Sequence, residues 1–146
     1  VLVLMGGGFA MADGISGSGL SQVIAEGLRG MSFSSPLVGF IVICLLTIAL
    51  SEVASNTATA SILLPLLAVS APSLGLQAGP IMFAAALAAS FGFMLPAGTP
   101  PNAVVFSSGY IKVTDMARSG FIVDLFGGLL IALCAGLLAP WALGMR

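Results

Sequence analysis

The sequence predicts an all-α integral membrane protein with spanning helices, one re-entrant helical hairpin and one helix that is broken in its middle. Composition is the first observation: 59% of the residues are hydrophobic, 6% are charged and the mean hydropathy is +1.20, whereas about 25% of a soluble domain is charged. The second is that two polar sequences, at 55–57 (Ser-Asn-Thr) and 98–102 (Gly-Thr-Pro-Pro-Asn), interrupt apolar segments. Because exposed peptide groups are not tolerated in hydrocarbon, these breaks indicate a solute-binding site.

The N-terminal region, residues 1–32, predicts the end of a membrane helix and a short amphipathic helix. An apolar run ends at residue 12, before a turn-rich Gly and Ser cluster. Apolar residues then recur at helical spacing over 20–31, which is typical of a helix at the membrane interface. The chain opens inside an apolar run without a signal-peptide pattern, so we expect it to be a piece of a longer protein.

Residues 36–70 predict the hairpin. Its apolar arms, at 36–50 and 58–69, flank the polar triplet at 55–57. The arms contain about 15 and about 12 residues, and a helical span needs roughly 20. We therefore expect a hairpin that enters the membrane and turns back, with the triplet at its tip.

A broken helix is predicted over 79–110. Residues 81–95 form an apolar helix, which should stop at Pro96 because the proline-rich sequence that follows cannot continue it. Residues 103–110 should complete the span beyond the break. Two matched polar breaks are therefore expected at similar depth.

The C-terminal part predicts a charged loop at 111–119 and a last transmembrane helix within 120–146. The apolar stretch 121–143 is long enough to span a membrane. If the positive-inside rule holds, Lys112 and Arg118 place the loop in the cytoplasm.

Helix ends supply chemistry at both breaks. The last carbonyls of the first arm, near Val53, have no partner in the helix and suit a small hard cation. The free amides at the start of the second arm, near Thr57, suit an anionic group. At the second break Gly98 can expose its carbonyl, while Thr99 and Asn102 can offer side chains. Discontinuous helices of this kind are typical of secondary transporters.

Two motifs carry a family resemblance. Residues 52–57 (Glu-Val-Ala-Ser-Asn-Thr) and 90–105 (SFGFMLPAGTPPNAVV) resemble the divalent anion/sodium symporters, the sodium-coupled dicarboxylate and citrate carriers. The resemblance covers essentially the whole chain and corresponds to the C-terminal member of two inverted repeats. It implies a homodimer in which a transport domain, here 33–119, moves like an elevator against a scaffold that includes 1–32.

The resemblance also implies roles for individual residues. The co-transported Na+ would be held by Ser51, Ser55, Asn56 and the carbonyl of Gly98. The substrate carboxylates would contact Ser55, Asn56, Thr57, Thr99 and Pro100. The other half of the binding site would come from an N-terminal repeat that this chain does not contain. The expected partners are a small carboxylate such as succinate, malate or citrate and the lipid of a bacterial inner membrane.

The residues leave other functions open. A proton-coupled carrier, a carrier of sulfate or an arsenite-type anion, and a non-transporting membrane subunit fit the same composition. An enzyme is not expected, and no catalytic residue is predicted, because the chain has no histidine and its only lysine, Lys112, lies in the predicted loop. A nucleic-acid partner is not expected either, since the net charge is −1. Glu52 could serve proton coupling or brace the hairpin, and Asp124 is expected to be an interfacial or packing residue.

Overall fold

The computed structural model describes residues 14, 17–19, 33, 35–96 and 98–138. Its continuous part is helical, and no strand occurs among the described residues. Five α-helices are present between residues 35 and 138, namely α1 (Pro36–Val53), α2 (Asn56–Ser70), α3 (Ala78–Ala88), α4 (Pro100–Ser107) and α5 (Val113–Leu137), and a 3-10 turn (Ala71–Leu74) follows α2. The predicted all-α membrane class is confirmed.

Among the residues that the structure describes, three helical stretches are long and apolar enough to cross a membrane. They are Pro36–Val53, Asn56–Leu74 and Val113–Leu137, with 18, 19 and 25 residues. Many large apolar side chains on these helices are exposed, as expected for surfaces that meet lipid or further protein. The protein is therefore an integral, multi-pass membrane protein.

The two arms of the hairpin are longer than predicted. Helix α1 starts at Pro36, which is favoured at a first helical position, and Ser35 caps it through the amide of Val38. It continues through the polar Ser51 and Glu52, whose buried side chains are hydrogen-bonded to residues 89–95. Arm length therefore does not indicate a re-entrant hairpin, and that geometry stays a prediction.

The break in the second interrupted helix is longer than predicted. Helix α3 ends at Ala88 and not at Leu95, and residues 91–93 have no regular secondary structure. Gly92 has φ +138°, a conformation that favours glycine. Pro96 is therefore not the residue that ends the helix.

The predicted loop at 111–119 is mostly helical. Helix α5 begins at Val113 and continues without interruption to Leu137. Asp115 lies in its first turn, where a negative charge interacts favourably with the helix dipole. The charged cluster therefore begins the last helix and does not precede it.

Helix α1 forms the centre of the packing, with α3 and α5 against it, while α2 packs chiefly on α3. The core combines larger α1 side chains such as Phe40 and Ile48 with alanines of α3 and α5. Small residues let membrane helices approach closely. The predicted helix end before residue 13, the amphipathic helix at 20–31 and the end of the last helix beyond 138 lie outside the described residues.

Candidate ion and solute site

The hairpin tip, residues 51–57, is fastened to the end of α3. The Ser51 hydroxyl donates toward Asn56 Oδ1, at 2.7 Å, and toward the carbonyl oxygen of Ala89, at 2.8 Å. The Asn56 amide nitrogen donates to the carbonyl of Ser90 at 3.3 Å. These carbonyls follow the last turn of α3, where the helix leaves them without a partner.

The Ser51 hydroxyl, the Asn56 amide oxygen and the Ala89 carbonyl oxygen form what we call the oxygen cluster. Ser51 is completely buried. Three oxygens lie within hydrogen-bond distance here, but the hydroxyl has a single proton to share between two acceptors. The ends of α1 and α3 also meet at this point, and a helix C-terminus carries partial negative charge. Such an arrangement favours a small cation.

The broken segment, residues 89–99, is held by two buried carboxylates. Asp124 accepts hydrogen bonds from the amides of Gly92, at 3.3 Å, and Phe93, at 3.2 Å. Glu52 accepts them from Met94, at 2.8 Å, and Leu95, at 2.9 Å. Glu52 is 6% exposed and Asp124 3% exposed. Four consecutive amides that no helix satisfies are therefore bonded to side chains.

Asn102 closes the broken segment from its other end. Its amide nitrogen donates to the carbonyls of Gly92, at 2.7 Å, and Leu95, at 3.0 Å. Gly98 also donates its amide to Leu95 at 3.1 Å. The amides of residues 92–95 and the carbonyls of Gly92 and Leu95 are thus all bonded within the protein.

Two glycines connect this loop to the hairpin. A Cβ atom on Gly92 would lie 3.4 Å from the carbonyl oxygen of Ser51. A Cβ atom on Gly98 would lie 3.0 Å from the carbonyl oxygen of Gly92 and 3.4 Å from Glu52 Oε2. Ser51 and Asn56 are thus in direct contact, and Gly98 lies near Ser51 only by way of Gly92. Their joint role as Na+ ligands remains a prediction.

The remaining predicted residues lie at helix starts. Ser55 caps α2 by accepting from the amide of Ala58 at 3.2 Å, and Thr99 caps α4 by accepting from Asn102 at 3.4 Å. Ser55, Thr57 and Pro100 are exposed and Thr99 is half-buried. The side-chain bonds of Ser55 and Thr99 stay within their own helices, and the described structure gives no contact between the two. Their joint role toward a carboxylate remains a prediction.

A cavity of about 520 Å³ lies between α4 and the first half of α5. Phe93, Asn102 and Val105 line it together with Ser119, Gly120 and Val123. Of the side chains that the sequence offers at the two breaks, Asn102 lines this cavity, whereas Ser51, Ser55, Asn56, Thr57 and Thr99 do not.

The sequence did not predict three groups that contribute to the site: the carbonyls of Ala89 and Ser90 and the carboxylate of Asp124. The carbonyls of Ala89 and Ser90 lie at the end of an apolar helix and carry no side-chain signal. Asp124 had a signal, because an ionisable residue in an apolar segment is functionally suspect. It was predicted to be interfacial or packing, and the structure shows a buried side chain bonded to the broken segment. Glu52 has the bonds expected of a brace, with both oxygens on backbone amides.

Comparison with known proteins decides the family. The family model described as the sodium:sulfate symporter transmembrane region matches residues 1–145. The chain belongs to this family. Its membership confirms the resemblance to the divalent anion/sodium symporters.

Curated relatives of this sodium:sulfate symporter family member have informative names. The sodium-dependent dicarboxylate transporter SdcS of Staphylococcus saprophyticus is 44% identical over 145 residues, which is 99% of this chain and 28% of that protein. SdcS of Staphylococcus aureus has the same identity and coverage. Solute carrier family 13 member 2 of Rattus norvegicus is 44% identical over 133 residues, or 91% of this chain and 23% of that protein. The chain thus spans about a quarter of the length of these relatives.

Proposed function

We propose that this chain forms the C-terminal half of the binding site in a sodium-coupled symporter of di- or tricarboxylates. The observation that carries the proposal is the oxygen cluster. In it the single proton of the Ser51 hydroxyl lies between two acceptors, the Asn56 amide oxygen and the Ala89 carbonyl oxygen. Relatives named as sodium-dependent dicarboxylate transporters support the choice of ion and substrate.

Na+ binds at the oxygen cluster in this proposal. A hard cation prefers neutral and anionic oxygen ligands, and the cluster offers hydroxyl, amide and carbonyl oxygens within 2.8 Å of Ser51 Oγ. The Gly98 carbonyl and the Ser55 hydroxyl complete the predicted ligand set. The negative ends of α1 and α3 add a favourable field at the same point.

The substrate carboxylate binds beside the cation, at the starts of α2 and α4. At the start of α2 the amides of Asn56 and Thr57 can donate to an anion, and the positive end of the dipole favours it. At the start of α4, Pro100 and Pro101 have no amide hydrogen and the amide of Asn102 is bonded to Thr99, so the helix offers only the positive end of its dipole there. Ser55, Asn56 and Thr57 supply polar groups at the start of α2, and Thr99 and Pro100 mark the start of α4.

Electrostatics explain why transport would need the cation. Glu52 and Asp124 are buried near the site, while Lys112 and Arg118, the basic residues of the part that the structure describes, lie at the start of α5. A dianion would therefore meet like charge without a compensating side chain. Bound Na+ supplies the missing positive charge, so each ligand favours the other.

A sulfate carrier is the second candidate, because the family description names sodium and sulfate. Hydroxyls, amides and helix starts can hold any compact dianion. The two SdcS relatives, which are named as dicarboxylate transporters and are 44% identical to this chain, favour dicarboxylates over sulfate. Proton coupling is less favoured, since both oxygens of Glu52 are bonded to backbone amides. We extend the proposal to the homodimer and the elevator movement that the family resemblance implies.

Uptake by the reconstituted full-length protein tests the function. Vesicles are loaded with buffer and offered labelled succinate with sodium, lithium or potassium outside, and unlabelled citrate, malate and sulfate serve as competitors. We expect uptake that requires an inward sodium gradient and is inhibited by dicarboxylates. Equal uptake in a sodium-free vesicle with a proton gradient would overturn the sodium assignment, and inhibition by sulfate alone would overturn the substrate.

A further inference from the structure

The broken segment depends on a side chain from outside the hairpin. Backbone groups in a membrane have to be bonded within the protein, and the amides of Gly92 and Phe93 are bonded to Asp124, more than 30 residues further along the chain. Glu52, which precedes the segment in the chain, accepts hydrogen bonds from the next two amides, those of Met94 and Leu95. The segment is therefore clamped between α1 and α5.

We propose that Asp124 is a positioning residue for the cation site, acting through Gly92. This inference rests on the proposed sodium-coupled function. Asp124 fixes the amide of Gly92, and Asn102 fixes the carbonyl of the same residue. Gly92 in turn lies against the backbone of Ser51 and against Gly98. The carboxylate thus determines where the backbone of the break lies relative to two of the proposed ligands.

The packing of α5 supports a positioning role. A Cβ atom on Gly120, one turn before Asp124, would overlap the carbonyl group of Phe93. A Cβ atom on Gly127, on the following turn, would overlap the ring of Phe91. Helix α5 therefore approaches the broken segment closely on both sides of Asp124, which allows this short side chain to reach two amides.

The exchange of Asp124 for asparagine removes one acceptor with little change in shape. An asparagine can accept from one amide, but its own NH2 group faces the other, so one buried amide loses its bond. Loss of a bond between a buried group and a charged partner weakens the arrangement by about tenfold or more. Because the amide belongs to the segment that positions Gly98, the effect should fall on sodium binding.

The test is the half-saturating sodium concentration for succinate uptake by full-length Asp124→Asn in vesicles, normalised to the amount of transporter. We expect an increase of about tenfold, with the substrate KM at saturating sodium close to that of the unmodified protein. Asp115→Asn is the matched control, because Asp115 is an exposed carboxylate on the first turn of the same helix. It should leave the sodium dependence unchanged.

Asp124→Glu keeps both acceptor oxygens and should shift the half-saturating sodium concentration in the same direction by less. If Asp124→Asn does not accumulate in the membrane, Asp124→Glu becomes the test. An unchanged half-saturating sodium concentration in Asp124→Glu would then overturn the inference. A fall in transporter amount or maximal rate with unchanged half-saturating sodium in Asp124→Asn also overturns it, because that is the result of a purely structural role. Sodium-independent uptake by the unmodified protein would instead overturn the proposed function.

Discussion

The hairpin tip and the broken segment both interrupt helices, but different parts of the chain build them. At the tip, only Ala54 and Ser55 separate two helices, and Ser55 caps the second helix with its own side chain. The broken segment runs over 89–99, and carboxylates from α1 and α5 bond four of its amides. The turn at the tip is thus capped locally, and Ser51 and Asn56 then fasten it to the end of α3. The amides of the broken segment, by contrast, depend on side chains from other helices.

This difference has a consequence for mutations. A substitution at the tip should change the ligands themselves while the surrounding helices keep their positions. A substitution that alters the broken segment should displace several proposed ligand groups together, since Gly92 lies next to the backbone of Ser51 and next to Gly98. The two regions can therefore be separated by what each variant does to binding and to stability.

The largest effect is expected for Asn56→Ala, because Asn56 belongs to the oxygen cluster and also bonds the hairpin tip to the broken segment. The change removes an oxygen of the cluster and the bond to the Ser90 carbonyl. We expect no measurable sodium-dependent uptake from full-length protein at normal abundance. Ser61→Ala is the control, since the Ser61 hydroxyl bonds only the carbonyl of Thr57 within α2. Normal sodium dependence in Asn56→Ala would show that the oxygen cluster does not hold the ion.

A smaller effect is expected for Gly92→Ala, which tests whether the broken segment needs its backbone conformation. At φ +138° a side chain adds strain of about 1–3 kcal/mol, and the new Cβ would lie 3.4 Å from the Ser51 carbonyl oxygen. We expect a lower melting temperature in detergent and a raised half-saturating sodium concentration.

Gly79→Ala is the matched control for that change. Gly79 lies in the first turn of α3, and a Cβ there meets nothing within 4 Å. Alanine favours a helix over glycine by about 1 kcal/mol, so this variant should be as stable as the unmodified protein or more so. Equal behaviour of the two alanine variants would contradict the claim that Gly92 is conformationally required.

The sequence predicted the locally capped tip better than the broken segment. Ser55 preceding the second arm and Pro36 opening the first are local signals, and the structure has helix boundaries within a few residues of both. The proline-rich run at 96–101 is also a local signal, but it does not mark the end of α3, which stops at Ala88. The end of α3 at Ala88 depends on carboxylates that come from other helices.

The residues of the site also fall into those that the sequence predicts and those that it does not. Ser51, Asn56 and Gly98 were predicted from motif and resemblance; the first two are hydrogen-bonded, and Gly98 lies beside Gly92. The Ala89 carbonyl could not be predicted, because a backbone oxygen next to the site has no residue type that reveals it. Asp124 could be suspected from its place in an apolar segment, but its partners are set by how α5 packs.

The smallest effects are expected for the two helix caps, and they compare the two regions directly. Ser55→Ala and Thr99→Ala each remove a bond to a helix amide, and such a loss lowers stability by about 1 kcal/mol. Ser35→Ala is the matched control, since Ser35 caps α1 through the amide of Val38 away from the site. All three should lower the melting temperature in detergent by similar amounts.

Transport separates the three cap variants. Ser35→Ala should leave uptake per transporter unchanged. Ser55→Ala and Thr99→Ala should in addition raise the succinate KM, if both hydroxyls face the substrate as proposed. The bond that Thr99 accepts comes from the amide of Asn102, whose side chain holds the broken segment. Thr99→Ala should therefore also raise the half-saturating sodium concentration. An unchanged succinate KM in Ser55→Ala or Thr99→Ala would show that the hydroxyl of that residue does not contact the substrate.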